Sequence, residues 1–351
     1  MATIILTGGG TAGHCTPHLA ILPYLKERFD KIYYIGSKNG IERNIIQKQN
    51  IPYCPITCVK FDRKKILKNS LIPIKLAKGI KEAEAILNDI KPDVVFSKGG
   101  YVSLPVVFAC RKKKIPIITH ESDFSLGLAN KVSAKFCEKV LTTFPETASK
   151  IKNGLYVGAP IRTLTDNLTL KDKLNIFGLN GSKPILLVTG GSQGSTCINS
   201  NIRKALNQLL TIFDVLHVCG KNNIDSSINK EGYYQIEFTD KLGYAMDICS
   251  ICISRAGSNT IFELLNKKIP CLLIPIPKGT SRGDQILNAR YFQKKGMVSV
   301  LEQDCLTENS LINEINALYA NRHNIKRNID DNPIKIANKE IADILIKYSE
   351  T

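Results

Sequence analysis

The stretch IILTGGGTAGHCTPHLAIL (residues 4–22) sets three patterns end to end. A short apolar run reads as a buried strand, and Gly8-x-Gly10-x-x-Gly13 reads as a tight loop. PHLAIL then reads as the start of a helix, with Pro17 in its first turn. Strand, glycine loop and helix in this order form the phosphate-binding opening of a Rossmann-like unit. The glycines let the backbone approach an anion closely, and amides at the next helix start point at it. Two readings follow: a dinucleotide site for redox chemistry, or a phosphate cradle in which His14 supplies a base.

The redox reading needs a carboxylate about 20 residues past the glycines, at the end of the second strand, to hold the ribose hydroxyls. Here that strand, KIYYIGS, ends in Gly36 and Ser37, and the next acid, Glu42, falls in a following helix. The spacing therefore disfavours a nicotinamide site and leaves the phosphate cradle.

The same theme continues outward. KIYYIGS, PDVVFSKGG and IPIITHES are short apolar runs ending in small or polar residues, separated by helical stretches. Strands apolar on both faces and spaced by helices indicate a buried parallel sheet. Near residue 160 the register restarts after YVGAPIRTL. KPILLVTGGSQGSTCINSNIRKALNQLL (183–210) repeats strand, glycine loop and helix, and FDVLHVCG, SICISRAGS and PCLLIPIP follow. The predicted class is α/β, with two Rossmann-like parallel-sheet domains facing a cleft. The predicted domains are 1–160 and 161–332, with a terminal helix within 333–351 packing back on the first. Glycine loops follow three of the strands: 8–13, 98–101 and 190–194. Each alone reads as a tight turn, but three together favour phosphate-bearing ligands.

Bulk properties narrow the class. The 351 residues exceed one comfortable core. Hydrophobic residues make up 43%, yet no run approaches the ~20 apolar residues that a membrane-spanning helix needs. A strand begins at once, so no signal peptide is expected. Eleven scattered cysteines fit a reducing compartment, and Cys249-x-x-Cys252 has no second pair at zinc spacing, so it reads as core filling. The net charge of +17 is uneven, with about +13 in the first 160 residues. An acidic partner is expected to meet that half.

The ordered set GGGTAGHCTPHLA, SKGGYVSLP, HESDFSLGLANK, GAPIR, GGSQG, SRAGSNTIFEL and RGDQILNA resembles the MurG family of bacterial glycosyltransferases, from about residue 2 to about residue 300. The resemblance implies a GT-B fold and an inverting transfer of N-acetylglucosamine from UDP-GlcNAc to the 4-hydroxyl of the muramoyl sugar of lipid I, giving lipid II. The donor would bind mainly the C-terminal half and the lipid-linked acceptor the N-terminal half. No cofactor is implied.

Roles carry over residue by residue. His14 is either the base that takes the acceptor proton or a structural histidine, and His18 reads as structural. Glu121 either supports the base or positions the acceptor, or else it caps the loop. The resemblance assigns Thr11, Ala12, Gly13, Arg162, Ser192, Thr239, Ser258, Asn259, Thr260, Glu263 and Gln285 to the donor. Within that set Glu263 would hold the ribose hydroxyls and Gln285 the sugar. Gly10, Gly100, Tyr101 and Asp123 would meet the acceptor. Arg255 either joins the donor site or pairs within the fold. Three positions depart from the family pattern: Asp123 replaces the commoner Asn, Leu104 a Gly, and Ala159 an Asn. The chain has no Asp-x-Asp motif, so helix starts and Arg162, not a metal, are expected to meet the diphosphate charge.

VKFDRKKILKNSLIPIKLAKGIK (59–81) interleaves eight basic residues with Ile66, Leu67, Leu71, Ile72, Ile74, Leu76 and Ile80. It reads as a peripheral anchor for an anionic membrane surface, on the cytoplasmic face, or as a core helix with a basic outer face. No aromatic-basic motif supports nucleic-acid binding. The rival readings are another UDP-sugar GT-B enzyme (a glycolipid synthase or UDP-GlcNAc epimerase) and a non-catalytic membrane-associated binding protein.

Overall fold

The computed structural model describes residues 2–60, 71–162, 167–191 and 193–350, the side chain of Ala12 excepted. The chain divides into two units. One comprises Met1–Arg162 with Lys335–Thr351, the other Thr163–Ile334.

The first unit holds a parallel sheet of β1 (Thr3–Thr7), β2 (Lys31–Ser37), β3 (Tyr53–Ile56), β4 (Val94–Ser97), β5 (Ile117–Glu121), β6 (Lys139–Thr142) and β7 (Gly154–Tyr156). Their order across the sheet is β3-β2-β1-β4-β5-β6-β7. Between them run α1 (Thr16–Lys26), α2 (Ile41–Gln47), α3 (Ile72–Ile90), α4 (Ser103–Lys113), α5 (Leu128–Ser133) and α6 (Pro145–Ala148). All five residues of β1 are buried, as a strand covered on both faces requires. Strand order reverses between β1 and β4, so the loops after these two strands lie side by side at the carboxyl edge, where open α/β sheets bind ligands.

The second unit repeats the plan with β8 (Ile185–Thr189), β9 (Asp214–Val218), β10 (Tyr233–Ile236), β11 (Ile251–Ser254), β12 (Cys271–Leu273) and β13 (Ser299–Val300), ordered β10-β9-β8-β11-β12-β13. Its helices are α7 (Leu170–Ile176), α8 (Thr196–Leu209), α9 (Leu242–Ile248), α10 (Ser258–Asn266), α11 (Asp284–Gln293), α12 (Glu308–Ala320) and α13 (Arg322–Asp331). Here the order reverses between β8 and β11.

The last helix, α14 (Asn338–Ser349), belongs to the first unit. Its Ile341, Ala342 and Leu345 are fully buried in the core that also contains Ile4, Leu6, Ile21 and Leu25. Burying an Ile or Leu side chain contributes about 1.5–3 kcal/mol, enough to hold one helix without a covalent tie. Arg28 adds an ion pair to Asp343 at 2.8 Å. The chain enters α14 through a bridge between Ala159 and Ile336, and the Asn338 amide grips Ile161 by its N–H and its carbonyl, at 2.9 and 2.8 Å.

Cys252 is buried in β11, and Cys249 just before it is a free thiol pushed up to about 12 by burial. No His, Cys, Asp and Glu cluster fit for a metal occurs among the described residues.

Candidate active site

In the first unit the glycine loop after β1 meets the loop after β4. Gly10 and Gly100 take left-handed φ values of 88° and 79°. A Cβ on Gly100 would collide with the Gly9 carbonyl oxygen, and one on Gly10 would lie 2.5 Å from the Tyr101 ring. These glycines are thus required for loop-on-loop contact, before any ligand is considered. The Gly10 amide donates to Glu42 Oε2 at 3.2 Å, and Oε1 of the same carboxylate accepts from the Ser37 amide and hydroxyl at 3.1 and 2.5 Å. Glu42 is fully buried and fastens the loop to the end of β2.

Thr11 and Gly13 are exposed, and a 3-10 turn over Ala12–His14 follows Thr11. His14 is half-buried, with Nδ1 2.9 Å from the Thr11 hydroxyl. His18 lies one turn on and is buried edge-on to Tyr34 and Phe96. Burial, then the Lys98 and His14 charges, hold its pKa well below the usual imidazole range.

At the end of β5 the carboxylate of Glu121 is spent on the protein. Oε1 accepts from the Asp123 amide at 3.0 Å, and Oε2 accepts from the Gly127 amide at 2.8 Å and Asn130 Nδ2 at 3.0 Å. Glu121 therefore shapes the loop that presents Asp123, which is half-buried. Asn130 also accepts from Thr119 Oγ1 at 3.2 Å and packs under Gly99. Lys98 is buried at the end of β4, with Nζ on His120 Nδ1 at 2.5 Å and on Ser122 Oγ at 2.8 Å. Arg162, exposed, ends the first unit's main segment.

The second unit builds its site from the loops after β8 and β11. Gly194 and Gly220 pack backbone to backbone, whereas for Gly191 (φ 85°) and Gly257 no atom of the described residues, chain neighbours apart, lies within 4 Å of where a Cβ would stand. That open backbone leaves room for a ligand at the switch point. Ser192 lies outside the described residues. Gly257 stands at the start of α10 and has no side chain with which to cap it. Ser258 is buried, while Asn259, Thr260 and Glu263 are half-buried and share one face of α10 at spacings of three and four.

Gln285 and Asn288 lie three apart on α11. Asn288 is fully buried and donates to the Ala256 carbonyl at 3.3 Å, tying α11 to the start of α10. Gln285 Oε1 accepts from the Ile276 amide at 3.1 Å, which leaves its NH2 group as the donor end of the side chain. Arg255 pairs within the fold: Nη1 donates to the Ile274 carbonyl at 3.0 Å, and Nη2 to Ser195 Oγ and Gln303 Oε1, both at 2.7 Å. Thr239 follows the edge strand β10, and its hydroxyl accepts from the Lys241 amide at 3.0 Å.

Two family models match the chain: the N-terminal domain of glycosyltransferase family 28 over residues 4–142, and its C-terminal domain over 185–345. A curated relative from Clostridium botulinum (strain Hall) is named UDP-N-acetylglucosamine--N-acetylmuramyl-(pentapeptide) pyrophosphoryl-undecaprenol N-acetylglucosamine transferase. It is 45% identical over 354 residues, spanning 100% of each chain. The chain belongs to glycosyltransferase family 28. A relative of the same name from Clostridium tetani is 46% identical over 352 residues, covering 98% of each chain. The crystal structure of Acinetobacter baumannii MurG matches with a TM-score of 0.77 over 99% of this chain and 100% of that one; at 21% identity it bears on the fold alone. The two parallel-sheet domains expected from the sequence are thus those of a family 28 glycosyltransferase.

Sequence reasoning missed Glu42, Lys98 and Asn130 as builders of the first family 28 half-site. Each left a trace without a role: Glu42 as the acid after the second strand, Lys98 as the first residue of the glycine loop 98–101, and Asn130 inside HESDFSLGLANK.

Proposed function

We propose that this chain transfers N-acetylglucosamine from UDP-GlcNAc to the 4-hydroxyl of the muramoyl sugar of lipid I, releasing UDP and forming lipid II. The observation that carries this reading is the 45% identity over the whole chain with relatives named for that transfer.

The second unit takes the donor. The start of α10 and the open backbone at Gly191 and Gly257 meet the diphosphate, since amides at a helix start and its dipole favour negative charge. Glu263 accepts hydrogen bonds from the ribose hydroxyls, and the NH2 of Gln285, whose Oε1 is held by the Ile276 amide, donates to the sugar. Thr239, Ser258, Asn259 and Thr260 complete the donor contacts of this unit.

The first unit takes the acceptor, with Gly10, Gly100, Tyr101 and Asp123 along the joined loops. His14 is the base. Its Nδ1 contacts the Thr11 hydroxyl at 2.9 Å, and in the tautomer that donates from Nδ1 the lone pair is on Nε2. The 4-hydroxyl oxygen attacks the anomeric carbon, its proton passes to Nε2, and the bond to UDP breaks with its electron pair leaving on the diphosphate. The configuration inverts. The burial and bonding of Glu121 support a role in shaping the acceptor loop.

The segment 59–81 docks this unit on an anionic membrane at its cytoplasmic face. Positions 61–70 lie outside the described residues. On α3, Gly79, Ala83 and Leu87 face the core, while Leu71 and Ile74 stand 52% and 68% exposed beside Lys75 and Lys78. Exposed apolar side chains flanked by lysines suit such a surface. No helix among the described residues is long and apolar enough to cross a membrane.

The test is turnover: purified protein, UDP-GlcNAc and a soluble lipid I analogue, without added metal, yield the disaccharide product. Donor binding with no transfer rejects this acceptor, and epimerisation of UDP-GlcNAc alone points to the epimerase.

A further inference from the structure

We propose that Lys98 is a positioning residue of the acceptor site, whose ammonium pins the loop carrying Gly100 and Tyr101 to the loop carrying Asp123. This rests on the acceptor reading given above.

Lys98 is the last point of sheet register before the glycines. Its amide donates to the Thr7 carbonyl at 2.8 Å, and the residue is 2% exposed. Gly99 and Gly100 follow at once, both left-handed, packed on Asn130 and on Gly9. From the end of β4 the ammonium crosses to β5, donating to His120 Nδ1 and to Ser122 Oγ. His120 then carries its proton on Nε2, which faces the Gly158 carbonyl at 3.4 Å. One cation thus joins two adjacent strand ends beneath the face that would meet the acceptor. Nothing in the transfer chemistry uses it, yet a buried cation with two ordered acceptors is costly to keep without a use.

Its charge is poised. Burial lowers the Lys98 pKa to about 7, opposed by Glu121 and Asp123. The other titratable groups around it are His14 and His18, on and after the first loop, and His120 on β5. His120 is held neutral by burial and by Lys98. Below neutrality the cation makes charge-assisted bonds, about twice as strong as neutral ones, and adds positive potential behind an anionic acceptor. Above neutrality both are lost. Acceptor affinity is therefore expected to fall as pH rises through about 7.

The experiment measures acceptor KM, donor KM and kcat from pH 6 to 9 for the wild-type enzyme, Lys98→Met and Ser122→Ala. Lys98→Met is expected to raise acceptor KM roughly tenfold at low pH and to abolish its pH dependence, leaving donor KM unchanged. Ser122→Ala keeps the cation but removes an acceptor, so the midpoint of the acceptor KM profile moves to lower pH; if Lys98→Met fails to fold, this variant decides. Unchanged acceptor profiles in the folded variants overturn the proposal, as does an equal rise in donor KM, which marks a general structural loss. Absence of transfer by the wild type removes the acceptor reading and this proposal with it, whereas wild-type turnover with unaltered variants removes only this proposal.

Discussion

The Thr11 hydroxyl lies 2.9 Å from Nδ1 of His14, within one short turn of the glycine loop. A bond in which Nδ1–H donates to that hydroxyl leaves the lone pair on Nε2, the form that the proposed base needs. His14→Ala is expected to lower kcat by about 10²–10⁴-fold while leaving UDP-GlcNAc affinity near the wild-type value. Thr11→Val should lower kcat less, because the imidazole keeps its place but loses its orienting partner. Steady-state kinetics and donor titration by calorimetry check both. A His14→Ala enzyme with wild-type kcat would remove the residue from the chemistry.

Gly100 and Gly191 share the left-handed conformation but differ in what surrounds them. Both take φ near 80°, where a side chain costs about 1–2 kcal/mol. At Gly100 a Cβ also meets the Gly9 carbonyl oxygen, whereas at Gly191 it meets no other atom among the described residues, chain neighbours apart. Gly100→Ala should therefore be the more destabilising change in denaturant melts. Gly191→Ala should stay near the backbone cost and instead weaken donor binding. Equal stabilities would mean that the two loops of the first unit yield more easily than their contact implies.

What the sequence made legible follows from range. β1 with its glycine loop and helix, and β8 with its own, were readable because apolar periodicity and glycine spacing are local. Gln285 and Asn288 were readable as one face of α11 because helical spacing puts i and i+3 together. Which of the two would be buried was not, since that depends on Ala256, 32 residues away. In the sequence Glu42 was only the acid that falls past the second strand, in a following helix, and so misses the ribose position of a nicotinamide site. It reaches Gly10 because β2 pairs with β1 and α2 turns back over the strand ends. The bonds of Lys98 to His120 and Ser122 join residues 22 and 24 apart on neighbouring strands, where no periodicity connects them. The resemblance named Glu121 without its partners, and only the fold reveals that both its oxygens are engaged. Arg255 stood open between two roles until the carbonyls of Ile274 and Pro275 came within reach.

Acid sensitivity of the second unit is expected from His217. Its Nδ1 lies 2.8 Å from the Tyr233 hydroxyl and its Nε2 3.0 Å from Asn199 Oδ1, and Asn199 Nδ2 donates to the Cys219 carbonyl. That chain fixes a neutral imidazole with its proton on Nε2. Burial, aided by the Arg203 charge, lowers its pKa to about 3. The unfolded group titrates near 6.5, so between those values the unfolded chain binds the extra proton. Stability is complete above about 6.5 and declines as pH falls towards about 3. His217→Gln should flatten this decline in urea melts at pH 4 to 7, at the expense of stability at pH 7. A parallel pH dependence in the variant would assign the acid loss to other groups.

Membrane docking is testable at Ile74, which is 68% exposed at the start of α3 while Gly79, Ala83 and Leu87 hold the helix to the core. Because that side chain makes little internal contact, Ile74→Asp should change folding stability by no more than about 0.5 kcal/mol. The variant nevertheless removes an apolar group from a bilayer and adds a negative charge among Lys75, Lys78 and Lys81. Burying an isoleucine contributes about 1.5–3 kcal/mol, so vesicle partitioning should fall by roughly ten- to a hundredfold. The assay is sedimentation with phosphatidylglycerol vesicles against neutral phosphatidylcholine ones, at low and high salt. Wild-type binding should require the anionic lipid and weaken with salt, since each lysine near such a surface contributes about 1 kcal/mol within a Debye length. If Ile74→Asp binds anionic vesicles as the wild type does, the contact lies elsewhere on the basic unit and α3 is a core helix with a solvated lysine face.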